Sequence, residues 1–202
     1  MQTGELGYLK NIEFVFLDRD GVLNRKPAAG KFVTCWQEFE LLPGAAEAVA
    51  TLNRSACKAI VVTNQRGVAL GLYSLSELAD MHERLQRELA AHGGRLDAIY
   101  VCPHNEGQCA CRKPLTGLFE QAFRDFPAAT AHNSVMIGDS LRDIEAGFRI
   151  GMATVLVDEA TGSSEELQRA RTLATLRVAS LAEFVHRYLG PEHPCNSSAT
   201  LL

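Results

Sequence analysis

The chain has 202 residues, 47% of them hydrophobic and 22% charged, with a net charge of -4 and a pI near 5.9. That length suits one domain with a substantial core, and the acidic balance argues against nucleic acid or an anionic membrane as partner. No apolar run approaches membrane-spanning length and no basic segment with an apolar stretch behind it opens the chain, so a cytoplasmic, monomeric protein acting on a small molecule is expected.

Phe14-Val15-Phe16-Leu17 is a short apolar run and reads as a buried strand. Asp18 and Asp20 follow it, with Gly21 closing the segment. A carboxylate at the carboxyl edge of such a strand can attack phosphorus, and a second two residues on can move the leaving group's proton. Asp and Gly also suit the start of a plain turn. Pro43 to Arg54 predicts a helix with Pro43 near its first turn. Ala59 to Thr63 predicts a strand that ends in Thr63-Asn64-Gln65, whose hydroxyl and amides can donate to phosphate oxygens. The longest helix is predicted over Leu75 to His92. It has a Ser74/Glu77 capping box, an apolar stripe of Leu75, Leu78, Leu85 and Leu89, and a stop at Gly93-Gly94.

A third strand, Ala98 to Val101, leads into Cys102-Pro103-His104-Asn105-Glu106-Gly107-Gln108-Cys109-Ala110-Cys111. Cys102, His104, Cys109 and Cys111 form a Cys₃His set suited to a closed, structural Zn²⁺ site, and a reducing compartment disfavours disulfides. Arg112-Lys113-Pro114 comes next. A fixed ammonium beside carboxylates would stabilise a transferring phosphoryl group, although a solvated basic pair is the commoner fate of these residues. Leu118 to Phe126 predicts a helix, and Val135 to Ile137 a strand followed by Gly138-Asp139-Ser140-Leu141-Arg142-Asp143. Asp139 at the strand end and Asp143 one helical turn on suit a hard cation such as Mg²⁺, and equally suit capping of a helix from Leu141 to Ile150. A strand at Thr154 to Val157, a helix at Glu165 to Arg171, a weak strand at Leu176 to Val178 and a helix at Leu181 to Leu189 complete the series. Residues 190–202, rich in Pro, Ser and Asn, are expected to form a loose tail.

Alternating strands and helices imply an α/β, Rossmann-like, mostly parallel sheet with helices on both faces, spanning 1–189 as one domain. Strand order does not follow from the pattern. The intervals from Asp20 to Thr63 and from Thr63 to Lys113 leave no room for a separate cap domain. An open site is therefore expected, walled by residues 25–36, residues 65–72 and the zinc loop.

These residues together resemble the haloacid dehalogenase superfamily of phosphohydrolases. Its four motifs stand in order as Asp18-Arg-Asp-Gly-Val-Leu-Asn24, Thr63-Asn-Gln65, Lys113, and Gly138-Asp139 with Asp143. The Cys/His loop followed by Arg112-Lys113-Pro114 is similar to the branch that holds the heptose 1,7-bisphosphate and histidinol-phosphate phosphatases. The resemblance implies Asp18 as nucleophile and Asp20 as general acid and then base. Mg²⁺ would be held by Asp18, the Asp20 carbonyl and Asp139, with Asp143 behind them. Thr63 and Lys113 would hold the phosphoryl group, and Asn64, Gln65 and Arg112 would contact substrate. The alanine- and glycine-containing turn leading to Gly30-Lys31-Phe32-Val33 fits the heptose pattern. Leu70, where the heptose enzymes usually carry an Arg, and the four residues between His104 and Cys109 fit it less well. Lys26, Lys31 or Arg66 could supply the missing cation.

Overall fold

The computed structural model describes residue 9 and residues 11–158 and 164–189. The tail expected at 190–202 lies outside the described residues. Six strands appear in the predicted places: β1 (Phe14–Leu17), β2 (Lys58–Asn64), β3 (Ala98–Cys102), β4 (Ser134–Gly138), β5 (Ala153–Val157) and β6 (Leu176–Val178). All pair in parallel, in the order β3-β2-β1-β4-β5-β6. The helices between them are α1 (Ala45–Arg54), α2 (Leu75–Ala91), α3 (Gly117–Asp125), α4 (Leu141–Arg149), α5 (Glu165–Leu173) and α6 (Leu181–Tyr188).

The strands are apolar on both sides because both sides are covered. Successive side chains alternate between the two faces. Val15, Leu17, Ala59, Val61, Val135 and Ile137 pack with residues of α1, α2 and α6 in one cluster. Phe14, Phe16, Ile60, Val62, Tyr100 and Met136 pack with α3 in another. Phe16 lies between Phe119 and Phe123, with ring centroids 5.5 and 5.8 Å away.

Two local expectations are corrected. The first helix begins at Ala45, because Gly44 takes a left-handed conformation (φ 76°) as its N-cap and leaves Pro43 outside. On α2 the Ser74/Glu77 capping box is present, but Leu75 is exposed. The buried stripe is Leu78, Met81, His82, Leu85 and Leu89.

The chain lays β1, β2 and β3 outward in one direction, then returns to place β4 on the other side of β1. Crossovers therefore diverge at β1 and β4 and leave a crevice beyond their carboxyl ends. Leu17 is in register with both Val61 and Ile137, so β1, β2 and β4 end at one edge. Between β1 and β2 the chain holds only a short 3₁₀ turn (Trp36–Glu38) and α1, and no cap domain appears among the described residues.

Candidate active site

The turn after β1 is tightly wound. The Arg19 carbonyl accepts from the amides of Leu23 and Asn24, and the Gly21 amide donates to the Asn24 carbonyl. Gly21 has φ +91°, and a Cβ there would lie 2.1 Å from an Asp139 carboxylate oxygen. Only glycine lets the β1 turn and the end of β4 approach this closely. The Asp18 amide donates to the Ile137 carbonyl at 2.9 Å, which ties the first carboxylate to β4.

Asp18, Asp139 and Asp143 place carboxylate oxygens within 4.8 Å of one another. Lys113 reaches them from the loop before α3. Its ammonium lies 2.9 Å from Asp18, 2.5 Å from Asp143 and 2.7 Å from the Val62 carbonyl. Its three N–H donors are thereby used. Burial alone would lower the Lys113 pKa, but the charges of Asp143 and Asp18 outweigh it and hold the pKa above the ordinary value. Asp18 is pushed up to about 7, mainly by burial, with Lys113 opposing and the neighbouring carboxylates reinforcing the rise. Asp139 rises to about 6, again through burial, against the pull of Lys26 2.7 Å away. Three crowded oxygen donors suit a hard divalent cation, whose charge favours the ionised forms of Asp18 and Asp139 that burial disfavours. Asp143 stands deepest, with Ser140 donating to its other oxygen through both amide and hydroxyl.

Asp20 faces elsewhere. Its carboxylate accepts from Asn24 (2.8 Å), Gln65 (3.0 Å) and Arg19 (3.0 and 3.1 Å). Burial would raise its pKa, but the Arg19 charge and these hydrogen bonds hold it below the usual carboxylate value. Thr63 is buried and its hydroxyl accepts from the Gln65 amide at 2.9 Å, which leaves the hydroxyl hydrogen free to donate. Asn64 and Gln65, expected at the substrate, are engaged within the protein. Asn64 clamps the Lys113 backbone with two 3.0 Å bonds, and Gln65 joins Asp20, Thr63 and Tyr73. Arg66 and Arg112 stand at the rim. Arg66 binds Asn105 across the loops at 2.9 Å, and Arg112 reaches the His104 carbonyl at 3.5 Å.

The Cys/His loop closes on itself. The Cys102 sulfur is 3.6 Å from that of Cys109 and 3.7 Å from His104 Nδ1, and Cys111 is 3.4 Å from the same nitrogen. All four donor atoms lie within 4.8 Å of one another. A tetrahedral ion with metal–sulfur bonds of about 2.3 Å needs sulfur–sulfur edges of roughly 3.8 Å, so the set fits a four-coordinate thiophilic metal.

Four residues around Asp20 had no role assigned from the sequence: Arg19 and Asn24, both inside the first motif, and Tyr73 and His82. One signal was available. His82 interrupts the apolar stripe of α2, and a polar residue on a buried helix face calls for a partner. A separate cleft of about 600 Å³, bordered by α5, β6 and α6, is lined by none of the candidate site residues.

Comparisons with known proteins place the chain in a family. Residues 110–184 match a HAD-hydrolase-like family model. The chain is 44% identical over 140 residues, 69% of its length and 73% of the relative's, to a D-glycero-alpha-D-manno-heptose-1,7-bisphosphate 7-phosphatase of Mycobacterium bovis. It is 39% identical over 152 residues, 75% of its length and 83% of the relative's, to the D-glycero-beta-D-manno enzyme of Bordetella bronchiseptica. A crystal structure of the D,D-heptose 1,7-bisphosphate phosphatase from B. bronchiseptica, complexed with magnesium and phosphate, matches with a TM-score of 0.75 at 34% identity, over 87% of this chain and 97% of that one. With its buried carboxylates and lysine at the switch point of a parallel sheet, the chain belongs to the HAD-like phosphatase family and is a phosphatase.

Proposed function

We propose that the chain is a Mg²⁺-dependent phosphomonoesterase that works through an aspartyl-phosphate on Asp18 and removes the 7-phosphate of D-glycero-D-manno-heptose 1,7-bisphosphate. The observation that carries the chemistry is the contact of Asp18 with Lys113 beside Asp139 and Asp143. The heptose substrate is supported by the names of the relatives.

In this reading Asp18 attacks phosphorus, and Asp20, ionised in the free protein, takes up a proton as the anionic substrate binds and passes it to the departing alkoxide. Asp20 then removes a proton from the water that hydrolyses the aspartyl-phosphate. Lys113 and the Thr63 hydroxyl hold the phosphoryl oxygens through transfer. Asp18, the Asp20 carbonyl and Asp139 would hold Mg²⁺, with Asp143 supporting. The ion supplies positive charge that lets an anionic carboxylate approach an anionic phosphoryl group. Cys102, His104, Cys109 and Cys111 would hold a structural Zn²⁺. Arg66 and Arg112 supply cations toward the rest of the substrate, whereas Lys26 lies on Asp139 at the metal-binding carboxylates. Asn64 and Gln65 act through Lys113 and Asp20.

Phosphate release from both anomers of heptose 1,7-bisphosphate and from histidinol phosphate, with and without Mg²⁺, tests the assignment. A Mg²⁺-dependent preference for a bisphosphate is expected. The short interval between His104 and Cys109, with Leu70 on the rim, favours histidinol phosphate as the competing substrate, and a preference for it would replace the heptose reading. Asp18→Asn should abolish turnover on every substrate, and retained activity would rule out the aspartyl-phosphate route.

A further inference from the structure

His82 is a buried imidazole with no part in the steps above. It projects from α2 to within 3.3 Å, through Nε2, of Arg19 Nη1. Arg19 is fully buried directly between the two site aspartates. Its guanidinium is saturated. Nε and Nη2 reach the Asp20 carboxylate, while Nη1 meets His82 and the Met81 sulfur, the latter at 3.9 Å. The Phe39 ring lies 5.4 Å from its central carbon. An arginine is always charged and only donates. Its N–H must therefore meet a lone pair on Nε2, which puts the imidazole proton on Nδ1. Burial, and then the Arg19 charge, push His82 down to about 4, with Asp20 opposing, so the ring is neutral and able to accept. Tyr73 faces the same group from the loop before α2, donating to Gln65, whose amide donates to Asp20.

We propose that His82 is a positioning residue for proton transfer: by holding the Arg19 guanidinium it fixes the Asp20 carboxyl in the direction of the leaving group. The proposal rests on the role given to Asp20 above. Without an acceptor at position 82, one buried guanidinium N–H loses its partner and the fork is free to tilt. Asp20 then keeps its charge partner but loses its fixed direction, and proton transfer depends steeply on direction.

The test uses the metal-loaded full chain and two substrates. Heptose 1,7-bisphosphate has an alkoxide leaving group that needs a proton. p-Nitrophenyl phosphate has one that departs without it. For His82→Leu, kcat/KM on the bisphosphate should fall about tenfold and on the aryl phosphate by no more than about twofold, since a positioned acid matters only for the poor leaving group. His82→Gln keeps an acceptor and should restore the bisphosphate rate to within about threefold of the parent. Equal losses on both substrates, or no loss on the bisphosphate, would overturn the proposal. If His82→Leu does not fold, Arg19→Lys decides. It keeps the charge without the fork and should show the same leaving-group dependence, and its absence overturns the proposal. Asp18→Asn assayed in parallel separates the two readings. If that variant is active, the phosphatase mechanism itself is wrong. If it is inactive while His82→Leu affects both substrates alike, only the role of His82 fails.

Discussion

Lys113 shows at one residue how the site couples stability to chemistry. Its buried ammonium stands between Asp18 and Asp143, and its removal would leave those carboxylates facing each other in a low-dielectric pocket. Lys113→Met is expected to lower kcat by at least about 100-fold and to destabilise the metal-free protein by on the order of 3 kcal/mol. Steady-state kinetics and urea unfolding measure the two effects, and unchanged kcat would remove Lys113 from the transition state. His82 carries a pH signature of its own. Its pKa falls from 6.5 to about 4 on folding, chiefly through burial. Between those values the unfolded chain binds a proton that the folded chain refuses, so this contribution is complete above pH 6.5 and is lost as pH falls towards 4. It amounts to at most about 3 kcal/mol. The raised pKa values of Asp18 and Asp139 act in the opposite direction, so the parent must be compared with His82→Gln, in which those groups are kept. The stability advantage of the parent over the variant should shrink from pH 7 to pH 4.5 in urea titrations, and parallel curves would contradict the neutral imidazole.

At the scale of elements, the loop between β3 and α3 brings together Lys113 and the Cys/His set. It runs from Cys102 at the strand end to Thr116 before the helix, and within it Lys113 reaches the carboxylates. Apart from the Cys/His set it is tied down by few contacts, among them the Asn64 clamp and the Gly117 amide on the Ala110 carbonyl. Cys109→Ser, or treatment with a zinc-selective chelator, should lower activity at least about tenfold, and Mg²⁺ alone should not restore it. Full activity in protein shown by elemental analysis to be zinc-free would contradict a structural role for that metal. This loop was legible because three thiols and an imidazole within ten residues are a compositional signal, as were Asp18 and Asp20 behind a four-residue apolar strand. The apolar runs of β1, β2 and β4 and the Ser74/Glu77 box of α2 were readable because each is local chemistry. Leu75 was misplaced since the first turn of a helix need not touch the core that its later turns bury.

For the whole molecule, the decisive fact is that β1 lies between β2 and β4. That order gathers Asp18, Thr63, Lys113, Asp139 and Asp143 from segments spread over more than half the chain. With no cap domain among the described residues, the proposed function leaves discrimination between substrates to the three rim segments, with Arg66 in one and Arg112 directly after another. Arg112→Ala and Arg66→Ala should each raise KM for the bisphosphate about three- to tenfold with kcat little changed, and should spare p-nitrophenyl phosphate. A fall in kcat on both substrates would instead place these arginines with the catalytic groups. The sequence by itself determined the α/β class, which carboxylates stand at strand ends and which thiols and imidazole share one loop, because these follow from hydrophobic period, turn residues and donor types along the chain. Only the tertiary structure decided the strand order, the closeness that demands glycine at Gly21, and the inward turn of Asn64 and Gln65. It also decided the buried pairing of Asp20, Arg19 and His82. Those features depend on which segments meet in space, and meetings between residues 63 positions apart, such as Arg19 and His82, leave no period or spacing in the chain to read.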